Sequence, residues 1–378
     1  MASHAFLSAS ASHRWLACPP SAKLCAEVEE QESPYAQQGT DAHELCQYLV
    51  EKALGREVAD PTSALEWYDA EMQECAEGYC SFVMEQIAKA KEHCPDPLIC
   101  IEQKLDYSRW VQDGFGTGDC VIVADDTLHI IDFKYGLGVL VTASGEDGTG
   151  NSQLKCYALG ALDTFGDLYA IKHIRLSIYQ PRRAHVDTFE LSTEELLKWA
   201  DEVLAPTARL AYEGSGEFHA GEHCRFCRIK ATCRKRAAYS LELAKYEFAE
   251  APSLSSEEIG VILPQIEPLI SWAEDIKAYA LEQALAGMHY PGFKLVEGRA
   301  VRKFSDEEQV IRAVCEAGFD PFEKKLLGIT AMQKLLGKNR FDELLSGLIE
   351  KPNGKPTLVP ESDKRPAVSS ASLDFKEE

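Results

Sequence analysis

Apolar residues recur at two different spacings along this chain, and the switches between them divide it. From Gly39 to Leu54 the positions Ala42, Leu45, Leu49 and Ala53 fall three or four apart, which predicts a helix. A second helix is expected from about Ser63 to Cys94, where Pro95 and Pro97 stop it. The stretches LICIEQKLDY, GFGTGDCVIVADDTLHIIDFKYG and IKHIRLSIYQP then alternate or run apolar and predict strands, with Asp125–Asp126 as a tight hairpin turn. Between the last two strands, NSQLKCYALGALDTFG reads as a helix. A helical start, three strands, a helix and a further strand predict an α/β fold in which helices flank a mixed sheet.

Helical spacing returns in STEELLKWADEVLAPTARLAYEG, opened by a Ser192/Glu195 capping box, and another helix is expected to about Ala249. EAPSLSSEE reads as a linker. Beyond it, a helix from about Glu257 to Gly287 carries an apolar stripe (Ile262, Ile266, Ile270, Ala273, Ile276, Ala280) expected to pack on the preceding body. A hairpin around HYPGFKLVEGRAVRKF, two or three short helices and an irregular tail complete the pattern. The expected segments are 1–95 helical, 96–190 the α/β core, 191–250 helical and cysteine-bearing, 251–350 a mostly helical α+β region, and 351–378 the tail.

Among 378 residues, 45% are hydrophobic and 26% charged, which excludes a fibrous or wholly disordered chain. No apolar run approaches the ~18 residues of a membrane-spanning helix. The start MASHAFLSASASHRWLACPP lacks a basic region followed by an apolar core, so a cytoplasmic protein without a secretory signal is expected. The net charge of −22 repels a phosphate backbone at long range. Work on nucleic acid would therefore need local basic patches, metal ions or a partner. Thirteen irregularly spaced cysteines do not suggest a disulfide framework, and Cys46, Cys80, Cys100, Cys120 and Cys156 read as core thiols.

Gly118–Asp119 and Asp132–Phe133–Lys134 lie on neighbouring predicted strands. Asp132 and Lys134, two apart, share a face, and two carboxylates meeting at a strand end make a hard oxygen site for Mg²⁺ or Mn²⁺. Glu102 on the preceding strand offers a third carboxylate. The plainer readings are a solvent-facing Asp–Lys pair, a hydrogen-bonded core His43, and an incidental Gln153/Tyr157 pair one helical turn apart. Cys224, Cys227 and Cys233 have the spacing C-x2-C-x5-C, for which His219 or His223 would complete a zinc knuckle. Around them Arg225, Arg228, Lys230, Arg234, Lys235 and Arg236 form either a solvated helix face or a phosphate-binding patch. Arg182 and Arg183 would extend that patch, and Arg299, Arg302 and Lys303 give a weaker basic hint.

Taken together, Gly39…His43, Glu102, Gly118–Asp119, Asp132–Phe133–Lys134 and Gln153…Tyr157 resemble, in order and spacing, the PD-(D/E)XK nucleases and in particular their RecB-like branch. The resemblance spans roughly residues 1–240, with Gly118 in the family's proline position. It implies a restriction-endonuclease-like core with His43, Asp119, Asp132 and the Phe133 carbonyl as ligands of Mg²⁺ or Mn²⁺. Lys134 would orient the attacking water, and Gln153 and Tyr157 would support the lysine and the substrate strand. Iron–sulfur members of this branch, including CRISPR-associated and AddB-type nucleases, carry one cysteine before the core and three after it. Cys18, ahead of Pro19, matches the first. The resemblance thus implies a [4Fe–4S] cluster on Cys18, Cys224, Cys227 and Cys233, with Zn²⁺ as the alternative. The layout is also similar to phage and prophage proteins encoded among replication genes. The implied function is a DNA nuclease, an exonuclease acting on single strands or duplex ends in phage replication or recombination within the bacterial cytoplasm, beside a phage replication or recombination partner. The rivals are a non-catalytic nucleic-acid-binding recombination accessory protein and a zinc-knuckle interaction module.

Overall fold

The computed structural model describes residues 5–28, 34–145, 147–242, 255–296, 304, 306–322 and 326–349. It divides into two compact units, Met1–Glu282 and Gln283–Glu378.

In the first unit, two short helices, α1 (Ser12–Ala17) and α2 (Ser21–Ala26), precede two long ones, α3 (Pro34–Ala53) and α4 (Ala70–Lys91). Strands β1 (Leu98–Asp106), β2 (Phe115–Ala124) and β3 (Thr127–Phe133) follow, then α5 (Ser152–Phe165), β4 (His173–Gln180) and β5 (His185–Ser192). The strands form one mixed sheet in the order β1-β2-β3-β4-β5, antiparallel throughout except for the parallel β3–β4 pair, which α5 joins as a crossover. Ala124 pairs with Thr127, so Asp125 and Asp126 form the expected two-residue turn, with Asp125 at the positive φ of 51° such turns demand.

The sheet is buried on both faces, as its apolar runs require. One face packs Cys120, Ile122, Ile131 and Phe133 against α3 and α4 through Leu45, Val50, Met72 and Val83. The other packs Val121, Val123, Leu128 and Ile130 against the N-terminal segment and α5 through Trp15, Leu154 and Leu159. That second core also takes in α6 (Thr193–Trp199), a π-helical turn at Ala200–Leu204 and α7 (Ala205–Glu213). The Ser192/Glu195 capping box is present in full.

Several boundaries differ from the pattern-based reading. The second long helix starts at Ala70 rather than near Ser63, because the Asp69 carboxylate caps it by accepting from the Met72 amide at 2.8 Å. Strand β5 was not expected. It is an edge strand whose residues alternate between half-buried and exposed, and its outward Val186 breaks the apolar-in, polar-out pattern. After the cysteine segment, α8 covers Arg234–Leu241, and the rest of the expected helix to Ala249 and most of the linker lie outside the described residues. Helix α9 (Ser256–Leu285) forms, but its stripe does not pack as expected: Ile266, Ile270 and Ile276 are exposed, and α9 meets the body through polar contacts instead.

In the second unit, α10 (Glu307–Glu316), α11 (Ile329–Leu336) and α12 (Lys338–Leu345) are the expected short helices. The described residues 289–296 contain no strand, and 297–303 of the expected hairpin lie outside the described residues, as does the tail from 350.

Candidate metal centre

The carboxylates gather where β1 and β2 change faces. Before this point Ile99 and Ile101 pack with Cys120 and Ile122, while Cys100 packs with Val121 and Val123. Regular alternation would put Leu105 on the side of Ile101, yet it lies in the opposite core. Likewise a Cβ on Gly118 would meet Leu105 at 2.9 Å and Val121 at 3.5 Å, not the Cys120 side. The swap happens at Glu102 and Asp119. The register is the same on both sides, but this pair drops out of the ladder and Glu102 takes a φ of 50°, a left-handed conformation uncommon for a non-glycine residue. The result turns both carboxylates toward α3.

There they meet His43. Ligand atoms of His43, Glu102 and Asp119 all lie within 4.8 Å of one another, as a site for one ion requires. His43 Nδ1 is 3.2 Å from Asp119 Oδ1, and the His43 ring stands edge-on to Phe133 at 5.3 Å. The second Asp119 oxygen accepts from the Phe133 amide at 2.6 Å, which ties β2 to the end of β3. Asp132 approaches from the face of α5. Its side chain is 3% exposed; Oδ2 lies 2.9 Å from Lys134 Nζ, outside hydrogen-bonding alignment, and has no hydrogen-bond partner. Gln153 joins the parts: its amide nitrogen donates to Asp132 Oδ1 at 3.3 Å and to the Tyr157 hydroxyl at 3.0 Å, and its carbonyl accepts from Lys134 Nζ at 3.1 Å. The Asn151 side chain caps α5 and so fixes Gln153 at its first turn.

The charges are mutually dependent. Burial works against protonated His43, but the Asp119 charge and hydrogen bond and the Asp132 charge prevail and raise it to about 9. Burial, then the Asp119 charge, pushes Glu102 up to about 7. Asp119 stays below the usual carboxylate range in spite of its burial, because His43 and the Phe133 amide favour its charged form. Asp132 is raised by burial more than Lys134 lowers it. Three converging carboxylates with one imidazole and one ammonium thus carry excess negative charge, and two of them resist ionising. A cation placed among them would relieve their mutual repulsion.

A second constellation lies at the far side of α1. Cys18, immediately after α1, lines a narrow cavity with Cys224, Cys227 and Cys233; His219 and His223 are on its wall. Cys18, Cys224 and Cys227 are buried. Among the described residues, no three cysteine sulfurs lie within 4.8 Å of one another. Sequence reasoning missed Cys25 in α2, whose Sγ lies 3.7 Å from that of Cys227 and accepts the Arg228 amide at 3.4 Å. Its hydrogen bond with Cys227 lowers the Cys25 thiol to about 5 against the opposing effect of burial. The only sequence signal was its position seven residues beyond Cys18.

Residues 4–366 match the family described as "Protein of unknown function (DUF2800)". The chain belongs to the DUF2800 family. A solved structure titled "Crystal structure of SSO0001" is 12% identical to this DUF2800 chain, with 52% of the chain and 98% of that structure covered and a TM-score of 0.22.

The basic run of the DUF2800 chain does not form one surface patch. Arg236 is buried and pairs with Asp275 of α9, as does Lys230 at 2.7 Å. Arg228 donates to the carbonyls of Cys25 and Val28 at 3.1 Å each. Arg225, Arg234 and Lys235 are exposed. Arg182 is held by Glu71 at 3.2 Å and Arg183 by the Leu137 carbonyl, so neither extends a patch. A cleft of about 940 Å³ does run past the metal-centre residues Lys134 and Gln153 to His13, Arg14, Phe226 and Arg228. No helix among the described residues is long and apolar enough to cross a membrane.

Proposed function

We propose that this chain is a metal-dependent deoxyribonuclease of the PD-(D/E)XK, RecB-like kind, hydrolysing phosphodiester bonds in single strands or at duplex ends. One observation carries the reading: His43, Glu102 and Asp119 converge within 4.8 Å at the strand end where Asp132 and Lys134 face each other. The donor set suits Mn²⁺ or Mg²⁺, and Asp132, ion-paired with Lys134 through Oδ2, stands beside it. His43, Glu102 and Asp119 would hold the ion, with Asp132 beside them. Bound there, such an ion lowers the pKa of its water and neutralises charge building on the phosphate.

The remaining steps belong to the chain itself. The Lys134 ammonium is steadied by Gln153 and Asp132, and it can donate to the attacking water or to a phosphoryl oxygen. Burial keeps Tyr157 a neutral phenol that accepts from Gln153, which fixes the amide's orientation and through it Lys134. The cleft beyond Lys134 and Gln153 offers the cations Arg14 and Arg228 for phosphates and the exposed Phe226 ring for a base, while burial and the Arg14 charge favour the neutral form of His13. This local positive lining answers the net charge of −22 at short range.

The four thiols of the cysteine cavity would hold an iron–sulfur cluster, with Zn²⁺ as the alternative. A single tetrahedral Zn²⁺ at about 2.3 Å from each sulfur would draw the sulfurs to roughly 4 Å apart. A [4Fe–4S] cluster would instead give each of Cys18, Cys224, Cys227 and Cys233, which line one cavity, its own iron. The decisive test is cleavage of end-labelled single- and double-stranded DNA with Mg²⁺, Mn²⁺ or chelator. Metal-dependent cleavage lost in Asp119→Asn supports the reading; metal-dependent binding without turnover would make the chain the non-catalytic accessory protein.

A further inference from the structure

The four cysteines of the cavity have a fifth neighbour that the cluster reading does not use. Cys25 on α2 and Cys227 are 202 positions apart in sequence, yet their sulfurs are 3.7 Å apart. A disulfide bond is about 2.05 Å long, so closing the gap asks for less than 2 Å of relative movement of the two sulfurs. The two sulfurs stand on the wall between two openings. Cys25 lines the large cleft beside Arg14 and Arg228, whereas Cys227 lines the cysteine cavity with Cys18, Cys224 and Cys233. Both thiols are buried, Cys25 at 3% and Cys227 at 8% exposure, so an oxidant must be small, and the Arg228 amide donates to the Cys25 sulfur at 3.4 Å.

We propose that Cys25 and Cys227 are a thiol-oxidation site, forming a reversible disulfide that withdraws Cys227 from the metal-holding cavity. With hydrogen peroxide as oxidant, the Cys25 thiolate attacks one peroxide oxygen, the O–O bond breaks and hydroxide leaves, giving a sulfenic acid on Cys25. The Cys227 sulfur then attacks the Cys25 sulfur; the S–O bond breaks, water leaves with the Cys227 proton, and the S–S bond forms. The balance is two thiols and one peroxide to one disulfide and two waters. Two equivalents of a small thiol reverse it by exchange. Disulfide formation rests on the sulfur geometry alone; the exclusion of a metal group rests on the cluster reading.

The test uses the full chain, stripped of metal by a chelator under reducing agent, desalted, exposed to a few equivalents of hydrogen peroxide and alkylated. Peptide mapping without reduction is expected to give a Cys25–Cys227 linked peptide as the main product, lost after dithiothreitol. In Cys25→Ser, Cys227 is expected to stay alkylatable and iron uptake on anaerobic reconstitution to match the parent chain. A main disulfide from Cys227 to Cys224 or to any other cysteine, or Cys25 oxidised without linkage, overturns the proposal. So does a Cys25→Ser chain that cannot take up iron, which would make Cys25 a ligand. The wild-type mapping needs no variant to fold, and it reads bonds rather than cleavage. A nuclease assay that fails therefore leaves the disulfide proposal standing or falling on its own linkage map.

Discussion

The backbone at Glu102 offers a sharp test of how the metal centre is built, using Glu102→Gln and Glu102→Gly. Both remove the carboxylate; only glycine removes the left-handed strain. Glu102 carries a folded-state pKa of about 7 against 4.5 in the open chain, from burial first and the Asp119 charge second. A raised carboxylate leaves stability fully present below pH 4.5 and loses it as pH climbs through 7. At about 1.4 kcal/mol per pKa unit, the ionised group costs the metal-free fold on the order of 3–4 kcal/mol at pH 8. The φ of 50° adds about 1–2 kcal/mol, of which glycine recovers the larger part after its own entropic cost. In chelator at pH 8, Glu102→Gln is therefore expected to melt about 5 °C above the parent chain and Glu102→Gly a few degrees higher still. Adding Mn²⁺ should raise the parent chain's Tm, since an ion bound only to the folded form stabilises it by mass action. In both variants that gain should fall by half or more. Thermal melts followed by tryptophan fluorescence, with and without Mn²⁺, read all of this. Variants less stable than the parent in chelator, or a full Mn²⁺ gain in both, would refute the claim that Glu102 is strained and held there for a cation.

Four other outcomes are expected. Asp132→Ala and Lys134→Ala should each cut DNA cleavage by at least about 100-fold while the circular dichroism spectrum stays that of the folded chain; full activity in either would remove it from the site. Cys227→Ser should lose bound iron and sulfide, and an unchanged iron content would exclude Cys227 as a ligand. His129 is buried on β3 against Ser177 at 2.8 Å, and burial, then the Arg175 charge, lowers it to about 3. Its contribution is present above pH 6.5 and is lost as pH falls toward 3, at up to about 1.4 kcal/mol per unit, so His129→Gln should flatten the acid limb of a stability-versus-pH curve. The Gln180 amide holds the loop after β3 through the carbonyls of Gly136 and Val139 and the Val141 amide, so Gln180→Ala should cost on the order of 2 kcal/mol and speed limited proteolysis within 136–151.

The sheet's central strands were legible because their apolar runs are continuous, and so was the β2–β3 turn, marked by Asp125–Asp126. Asp132, Lys134, Gln153 and Tyr157 were legible too, since strand and helix periodicity alone puts each pair on one side. What sequence could not show was the change of face at Glu102 and Asp119. It depends on a backbone conformation that no pattern of polar and apolar residues encodes, and without it Glu102 would be a remote third carboxylate. The edge strand β5 was hidden by its half-exposed, mixed composition. The basic run misled because charge density says nothing of burial: Arg236 and Lys230 serve Asp275, a residue some 40 positions further on. Cys25 was lost among thirteen cysteines until folding brought it beside Cys227.

The packing of α1 and α2 against α7 has a consequence for the order in which the molecule assembles. Every residue of the metal centre lies between His43 and Tyr157, on elements that follow one another closely, so that part can take shape from local hairpin and helix contacts. The cysteine cavity instead closes a ring of roughly 200 residues, from Cys18 to Cys224, at a loop-closure cost of about 5 kcal/mol. On a ribosome the N-terminal helices emerge first and can dock on the sheet and α5, but their contacts with α7 and the Cys224–Cys233 segment must wait until those have followed. Completion of the ring is thus a late event, and a group captured there would report that the body from Cys18 to Cys233, not merely the stretch from His43 to Tyr157, has been made.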